Sequence, residues 1–343
     1  MNYNEALSLG GQNIATSSIT PIKRAMEITE AEEYEFEALG VNNKTCKVLA
    51  ELGIEFPTPI QEKIVPLALG GRDVIGIAQT GTGKTLAFAL PIAEKLAASK
   101  GFALVLVPTR ELAIQVGETF RSISPLPQHS GSQRSRNAPI YAATLIGGMS
   151  MHNQVRDLHR RPRVVIATPG RLIDHINRGT FKPNFVSILV LDEADRMFDM
   201  GFAPQIRRII ERLPKARQTM LFSATMPPEI EGLASGCLTN PERIAITPPG
   251  TGVKSIEHEV CFIKNEDRYE MLLKILSAQS GSAIIFARTK HGAMSLNKRL
   301  QSAGLNAVEI HSNRTLGQRR QALAGFKSGR YQFLIATDIA ARG

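Results

Sequence analysis

Short runs that are apolar throughout, separated by longer amphipathic ones, govern what this chain can fold into. Residues 72–78, 103–107, 142–146, 164–167, 188–191 and 219–223 are such runs, with helix-like segments such as 85–99 and 110–119 between most of them. A strand with one wet face alternates apolar and polar residues. A strand without that alternation is buried on both faces, which calls for helices above and below a mainly parallel sheet. The pattern therefore predicts a doubly wound α/β domain. It restarts after Thr247-Pro-Pro-Gly-Thr-Gly-Val253, whose prolines and glycines mark a linker. Beyond the linker, strands are expected at 257–263, 283–286, 307–310 and 333–336, and helices at 268–277, 292–303 and 318–327. The organisation expected is a polar tail over 1–33, a helical lead-in over 34–62, a first α/β unit over 63–246, a linker over 247–255 and a second, partial unit over 256–343. Residues 122–139, rich in Ser, Pro, Arg and Gln, read as a surface insertion loop.

Length agrees with two units, since 343 residues at about 150 per domain is roughly two. The three cysteines, Cys46, Cys237 and Cys261, share no ligand spacing and cannot all pair, so a disulfide scaffold is excluded and a reducing compartment is expected. The seven histidines follow no ligand spacing either and read as surface or packing residues. The first twenty residues lack the apolar segment of a signal peptide, and no stretch approaches the roughly 20 apolar residues of a membrane span. A soluble, cytoplasmic protein without a membrane partner is the expectation. Forty-one Lys and Arg against 31 Asp and Glu leave a net charge of +10. The surplus is scattered through globular sequence, as at 156–163 and 207–217, and points either to an ordinary solvated surface or to a polyanion such as nucleic acid.

Two motifs carry chemistry. Ala78-Gln-Thr-Gly-Thr-Gly-Lys-Thr85 lies between an expected strand and an expected helix. There glycines let successive N–H groups point inward and the helix N-terminus adds positive potential, so the stretch reads as a phosphate-binding loop. Lys84 would reach the β- and γ-phosphates and the Thr85 hydroxyl would bind Mg²⁺; Ala78 stands where the strict pattern has glycine. Val190-Leu-Asp-Glu-Ala-Asp195 ends a buried strand, and the carboxyl ends of parallel strands are where open α/β sheets bind ligands. Asp192 suits the Mg²⁺ shell, and Glu193 suits orienting or deprotonating a water that attacks a γ-phosphate. Taken alone, the acids could instead cap the following helix.

The full motif series resembles the DEAD-box RNA helicases of superfamily 2. It comprises Phe36, Gln61 of the Q motif, the loop ending at Thr85, Pro108-Thr-Arg-Glu-Leu-Ala113, Gly147-Gly148, Thr168-Pro-Gly-Arg171, Asp192-Glu-Ala-Asp195, Ser223-Ala-Thr225, Ile284-Ile-Phe-Ala-Arg-Thr-Lys290 and Ala336-Thr-Asp-Ile-Ala-Ala-Arg-Gly343, in the family's order. The stretch 311–317 is most similar to the bacterial RhlE-type branch. The resemblance implies two RecA-like domains, ATP and Mg²⁺ as cofactors, and RNA as partner through backbone contacts of low sequence specificity. It further implies that Gln61 reads the adenine edge and Phe36 packs on the base, though a core aromatic and a helix N-terminal residue would look the same. Thr80, Gly81, Thr82, Gly83, Lys84 and Thr85 would hold the nucleotide. Thr109, Arg110, Gly148, Thr168, Gly170, Arg171, Arg288 and Thr337 would grip the RNA backbone, with Phe286, Thr289 and Arg319 nearby. Ser223 and Thr225 would bond to Asp195 and couple nucleotide state to closure; a Ser/Thr helix cap before Pro227 is the plainer reading.

Three departures stand out. Ile54 occupies a position where the family often has an aromatic, Leu316 one where it commonly has Gln, and the family's closing arginine motif is absent. An arginine finger is worth about 10³ to 10⁵ in rate, so the expectation is a C-terminally truncated helicase that hydrolyses ATP feebly and leaves a sheet edge uncovered. The alternative is an ATP-gated RNA-binding protein with little hydrolysis. A DNA-directed motor of the same superfamily is disfavoured by the Phe36/Gln61 pair, and neither a transporter signature nor a guanine-specificity motif is found.

Overall fold

The computed structural model describes residues 35–99, 101–123, 141–246, 257, 259–278 and 280–337. The expected tail, most of the insertion loop, the linker 247–255 and the end of the last motif, 338–343, lie outside the described residues.

Every apolar run of the first unit becomes a strand. β1 (Val74–Ile77), β2 (Phe102–Leu106), β3 (Ala142–Leu145), β4 (Val164–Ala167), β5 (Val186–Leu191), β6 (Gln218–Ser223) and β7 (Glu242–Ala245) form a seven-stranded sheet in the order β3-β4-β2-β5-β6-β1-β7. The pairings are parallel. The helices are α1 (Asn43–Glu51), α2 (Pro59–Leu69), α3 (Lys84–Ala98), α4 (Arg110–Ile123), α5 (Met151–His159), α6 (Pro169–Asn177), α7 (Ala194–Asp199), α8 (Ala203–Ile210) and α9 (Pro228–Cys237).

Alternate strand residues divide between two cores, because side chains of a strand point to opposite faces. Ala103 and Val105 of β2, Ile188 and Val190 of β5, and Met220 and Phe222 of β6 pack with α2, α3 and α4. Leu104, Leu106, Leu189, Leu191 and Leu221 pack with α6, α7, α8 and α9. Two apolar faces are what the unbroken runs require. β7, at the edge, alternates half-buried with exposed residues and so escapes the all-apolar pattern.

The second unit contributes α10 (Arg268–Ala278), β8 (Ala283–Ala287), α11 (Lys290–Ser302), β9 (Ala307–Ile310), α12 (Leu316–Lys327) and β10 (Phe333–Thr337), with a parallel sheet ordered β8-β10-β9. The chain is thus α/β with two parallel sheets, as expected. One element differs. The strand expected at 257–263 is not formed among the described residues: 257 and 259–263 are exposed and carry no sheet pairing, with Val260 and Phe262 in solvent. Alternating apolar residues make a strand only when a neighbour supplies the ladder, and none lies beside them among the described residues. β8 is consequently an edge, and Ile284 and Phe286 face outward.

Candidate functional site

Strand order decides which loops meet. β1, β6 and β5 are neighbours, so the turns leaving their carboxyl ends, 78–83, 224–225 and 192–195, gather at one place on the sheet rim. Gly81 and Gly83 turn the first loop with φ +85° and +92°, a region that only glycine enters freely. Gly83 is also sterically bound: a Cβ there would collide with the Gln61 amide and stand 2.7 Å from Thr58 Oγ1. Gln61 is held twice, its Nε2 donating to Gly83 O at 2.9 Å and its Oε1 accepting from Thr58 N at 2.9 Å, in a capping box that opens α2. It is therefore both a helix N-terminal residue and a brace under the glycine loop. Thr82 Oγ1 donates to Gln79 O at 2.8 Å, and buried Lys84 donates through Nζ to Ala78 O at 2.8 Å. Thr80 and Gly81 are exposed, while Thr85, in the first turn of α3, is half-buried. Phe36 is 3 % exposed, in the core cluster with Leu39, Val41 and Leu49. Ile54 packs on the border of the same core.

Opposite the loop, Asp192 is buried at the end of β5, its Oδ1 accepting from Glu193 N at 3.0 Å. Burial pushes its carboxyl up to about 7, against the pull of the Lys84 ammonium. Glu193 is raised by burial too, opposed by Arg196 and Lys84, and its Oε2 lies 3.1 Å from Arg196 Nη1. Its φ of +52° is left-handed, a costly conformation for a side-chain-bearing residue that lets α7 start directly after the strand. Asp195 is the hub between β5 and β6. Its Oδ2 accepts from Ala224 N, Thr225 N and Thr225 Oγ1 at 3.0–3.1 Å, while its own N–H donates to Ser223 Oγ at 3.2 Å. The three residues expected to couple thus meet, with Ser223 acting as acceptor for the backbone rather than as donor to the carboxylate.

The other half of the rim is built from β2, β4 and β3, also neighbours. They deliver Thr109 and Arg110, then Thr168, Gly170 and Arg171, then Gly148. Gly148, at φ +77°, lies so close to the Arg110 guanidinium that a Cβ would strike it. Arg171 Nη1 donates to Met149 O at 3.0 Å. Gly170 faces open space. Thr109, Arg110 and Glu111 share a cavity of about 240 Å³ with Arg288, Lys290, Arg319 and Thr337 from the second unit. Arg319 Nη2 lies 3.1 Å from Glu111 Oε1, both half-buried, and burial lowers the affinity of this guanidinium for its proton. Leu316, in place of the family's Gln, packs its apolar side chain against the first core. Phe286 and Thr289 are exposed; Thr289 caps α11 by accepting from Gly292 N at 3.0 Å.

Some of this was not expected. Glu111, inside the 108–113 motif, pairs with a residue that its spacing does not point to. Gln154 and His175 are buried polar residues on α5 and α6 that no motif marks; Gln154 Nε2 donates to Ile146 O at 2.9 Å. Among the described residues no group of His, Cys, Asp and Glu forms a preassembled metal cluster, and no helix is long and apolar enough to cross a membrane.

Residues 58–233 match the DEAD/DEAH box helicase family model, and residues 267–343 match the helicase conserved C-terminal domain. The chain belongs to the DEAD/DEAH box helicases. Among curated family members it is 41 % identical over 311 residues to the DEAD-box ATP-dependent RNA helicase CshA of Geobacillus kaustophilus, covering 90 % of this chain and 64 % of that protein. The Bacillus subtilis CshA is 40 % identical, with 61 % of it covered. The chain thus spans somewhat over six-tenths of these relatives' length, and they carry the CshA name rather than that of the RhlE-type branch. Among solved helicases, S. cerevisiae Dbp5 bound to RNA and ADP BeF3 superposes with a TM-score of 0.76 at 29 % identity, over 90 % of this chain and 77 % of that one. A DEAD box protein from Methanococcus jannaschii gives 0.55 at 33 % identity, over 91 % and 82 %.

Proposed function

We propose that this helicase-family chain is an ATP-dependent RNA helicase that grips RNA by its backbone and separates short duplex stretches locally. The observation that carries this reading is the cavity between the sheets, where Thr109 and Arg110 face Arg288, Arg319 and Thr337. Such a cationic, hydroxyl-bearing lining suits phosphate and sugar rather than base edges. The working division is a first domain over 63–246 and a second over 256–343.

ATP is assigned to the loop 80–85, with Lys84 exchanging its bond to Ala78 O for phosphate oxygens and Gln61 reading the base. Phe36, buried as it is, would support the base from beneath the surface rather than by open stacking. Asp192 and the Thr85 hydroxyl form a hard oxygen donor pair that fits Mg²⁺. When bound, the ion would neutralise phosphate charge. Glu193, raised above the ordinary carboxylate range, is suited to orient the attacking water or take its proton. The Asp195 hub ties the strand bearing Asp192 and Glu193 to the turn 224–225, so a shift at the nucleotide reaches β6. Contacts to nucleotide and RNA that exist only with the sheets together favour that arrangement, and loss of the γ-phosphate releases it.

The test is phosphate release with and without single-stranded RNA, together with strand separation of a short RNA duplex. RNA-dependent turnover and ATP-dependent separation are expected. Stimulation by DNA equal to that by RNA would refute the assignment.

A further inference from the structure

Beneath the backbone-gripping half of the rim lies a buried polar chain with no part in the scheme above. Gln154 and His175 are fully buried. The Gln154 amide nitrogen faces two carbonyls of one turn, Ile146 O at 2.9 Å and Met149 O at 3.4 Å. Two acceptors require the NH₂ group on that side, so Oε1 points to His175 Nε2, 3.2 Å away. Since Oε1 can only accept, the imidazole proton belongs on Nε2. Nδ1, 2.8 Å from Thr180 Oγ1, then accepts from that hydroxyl, whose single proton turns to it in preference to the longer contact with His175 O at 3.1 Å. Burial disfavours the imidazolium, Arg171 and Arg178 add to this, and Asp174 opposes it. The neutral, Nε2-protonated ring is therefore the state that satisfies the chain.

What the chain holds is the turn 146–149. This turn contains Gly148 against the Arg110 guanidinium, and Arg171 grips its far end at Met149 O. Three residues assigned to the RNA backbone, Arg110, Gly148 and Arg171, thus converge on a segment whose carbonyls are pinned from below by one amide. An unpinned glycine turn would sample many conformations, and binding would have to order it.

We propose that Gln154 and His175 are positioning residues for RNA: His175 orients the Gln154 amide, and the amide fixes the 146–149 turn that sets Gly148 and Arg110 for the phosphates. The inference rests on the proposed function and deepens it, acting on RNA affinity while leaving the nucleotide half, on the other strands, untouched.

The experiment measures single-stranded RNA affinity by fluorescence anisotropy, with a non-hydrolysable ATP analogue present, and half-saturation for ATP separately. Variants are Gln154→Met, which keeps volume and removes the amide, His175→Leu, and His175→Gln, whose amide N–H can replace Nε2–H. Gln154→Met and His175→Leu should weaken RNA binding about five- to thirtyfold, the loss of one or two net hydrogen bonds. ATP half-saturation should stay within about twofold, and His175→Gln should recover most of the loss. RNA affinity within about twofold of wild type in Gln154→Met overturns the proposal. So does a parallel loss of RNA and ATP binding that tracks melting temperature. If the apolar variants do not fold, ¹⁵N chemical shifts of His175 in the wild-type chain decide: a proton on Nε2 supports the relay and one on Nδ1 overturns it. Failure of the wild-type chain itself to bind RNA would remove the functional reading, and the proposal with it.

Discussion

Replacing Gly83 by alanine tests the brace under the glycine loop in a way that can be worked out from the geometry. At φ +92° a Cβ costs about 1–2 kcal/mol. The new methyl also collides with the Gln61 amide, so Gln61 must leave, and its bonds to Gly83 O and Thr58 N, both 2.9 Å, are lost at about 1 kcal/mol each. The reduced freedom of the unfolded chain returns about 0.4–1 kcal/mol. The net expectation is a destabilisation of about 3 kcal/mol, or a melting temperature lower by roughly 6–12 °C. In a Gln61→Ala background the bonds and the amide clash are already absent, while the Thr58 Oγ1 contact at 2.7 Å is common to both backgrounds, so the same substitution should cost about 2 kcal/mol less. The double-mutant cycle should therefore return a coupling of about 2 kcal/mol. Urea titrations of the four chains supply it. Strict additivity, within about 0.5 kcal/mol, would refute the claim that Gln61 and Gly83 support each other.

Other expectations follow from the same coordinates. Asp192 has a folded-state pKa of about 7 against an ordinary 3.8. An acid raised in the folded state binds its proton more tightly there, so in metal-free buffer stability is lost as pH climbs from about 4 to 7. The slope is about 1.4 kcal/mol per unit and the total about 4 kcal/mol. Asp192→Asn should remove its share of the slope in pH-dependent melting, leaving the same-signed share of the neighbouring raised Glu193, and an unchanged slope would contradict it. Arg288→Ala should weaken RNA binding similarly for all sequences and reduce the slope of log affinity against log salt by about 0.7; a sequence-selective loss would point to base contacts instead. Ile284→Lys, on the exposed face of the β8 edge, should change melting by less than about 0.5 kcal/mol. It should also lower any self-association seen in sedimentation, and a large destabilisation would mean the strand is covered in solution.

Much of the site could be read from the chain because its chemistry is local. The turn of 78–85 needs glycines in one string, the Asp192–Asp195 acids follow one buried strand, and strands with two apolar faces announce a parallel sheet. Where the reading missed, the cause was non-local. The run 257–263 has strand composition but no neighbour to pair with among the described residues, and β7 is a strand because β1 lies beside it despite a half-polar pattern. The pairing of Glu111 with Arg319 joins α4 to α12 across the two units, so no spacing could reveal it.

Residue order alone thus determined the two α/β units, the glycine loop 78–85, the carboxylates and the family likeness, since each is a repeat or motif of contiguous residues. Tertiary structure decided the rest. Strand order β3-β4-β2-β5-β6-β1 divides the rim into one half around Lys84 and Asp192 and another around Arg110 and Gly148. It also buried Phe36 in the core and set His175 and Gln154 beneath the 146–149 turn. Hydrogen bonds and burial act over a few ångströms in space, and strand order, not sequence separation, determines which residues come that near.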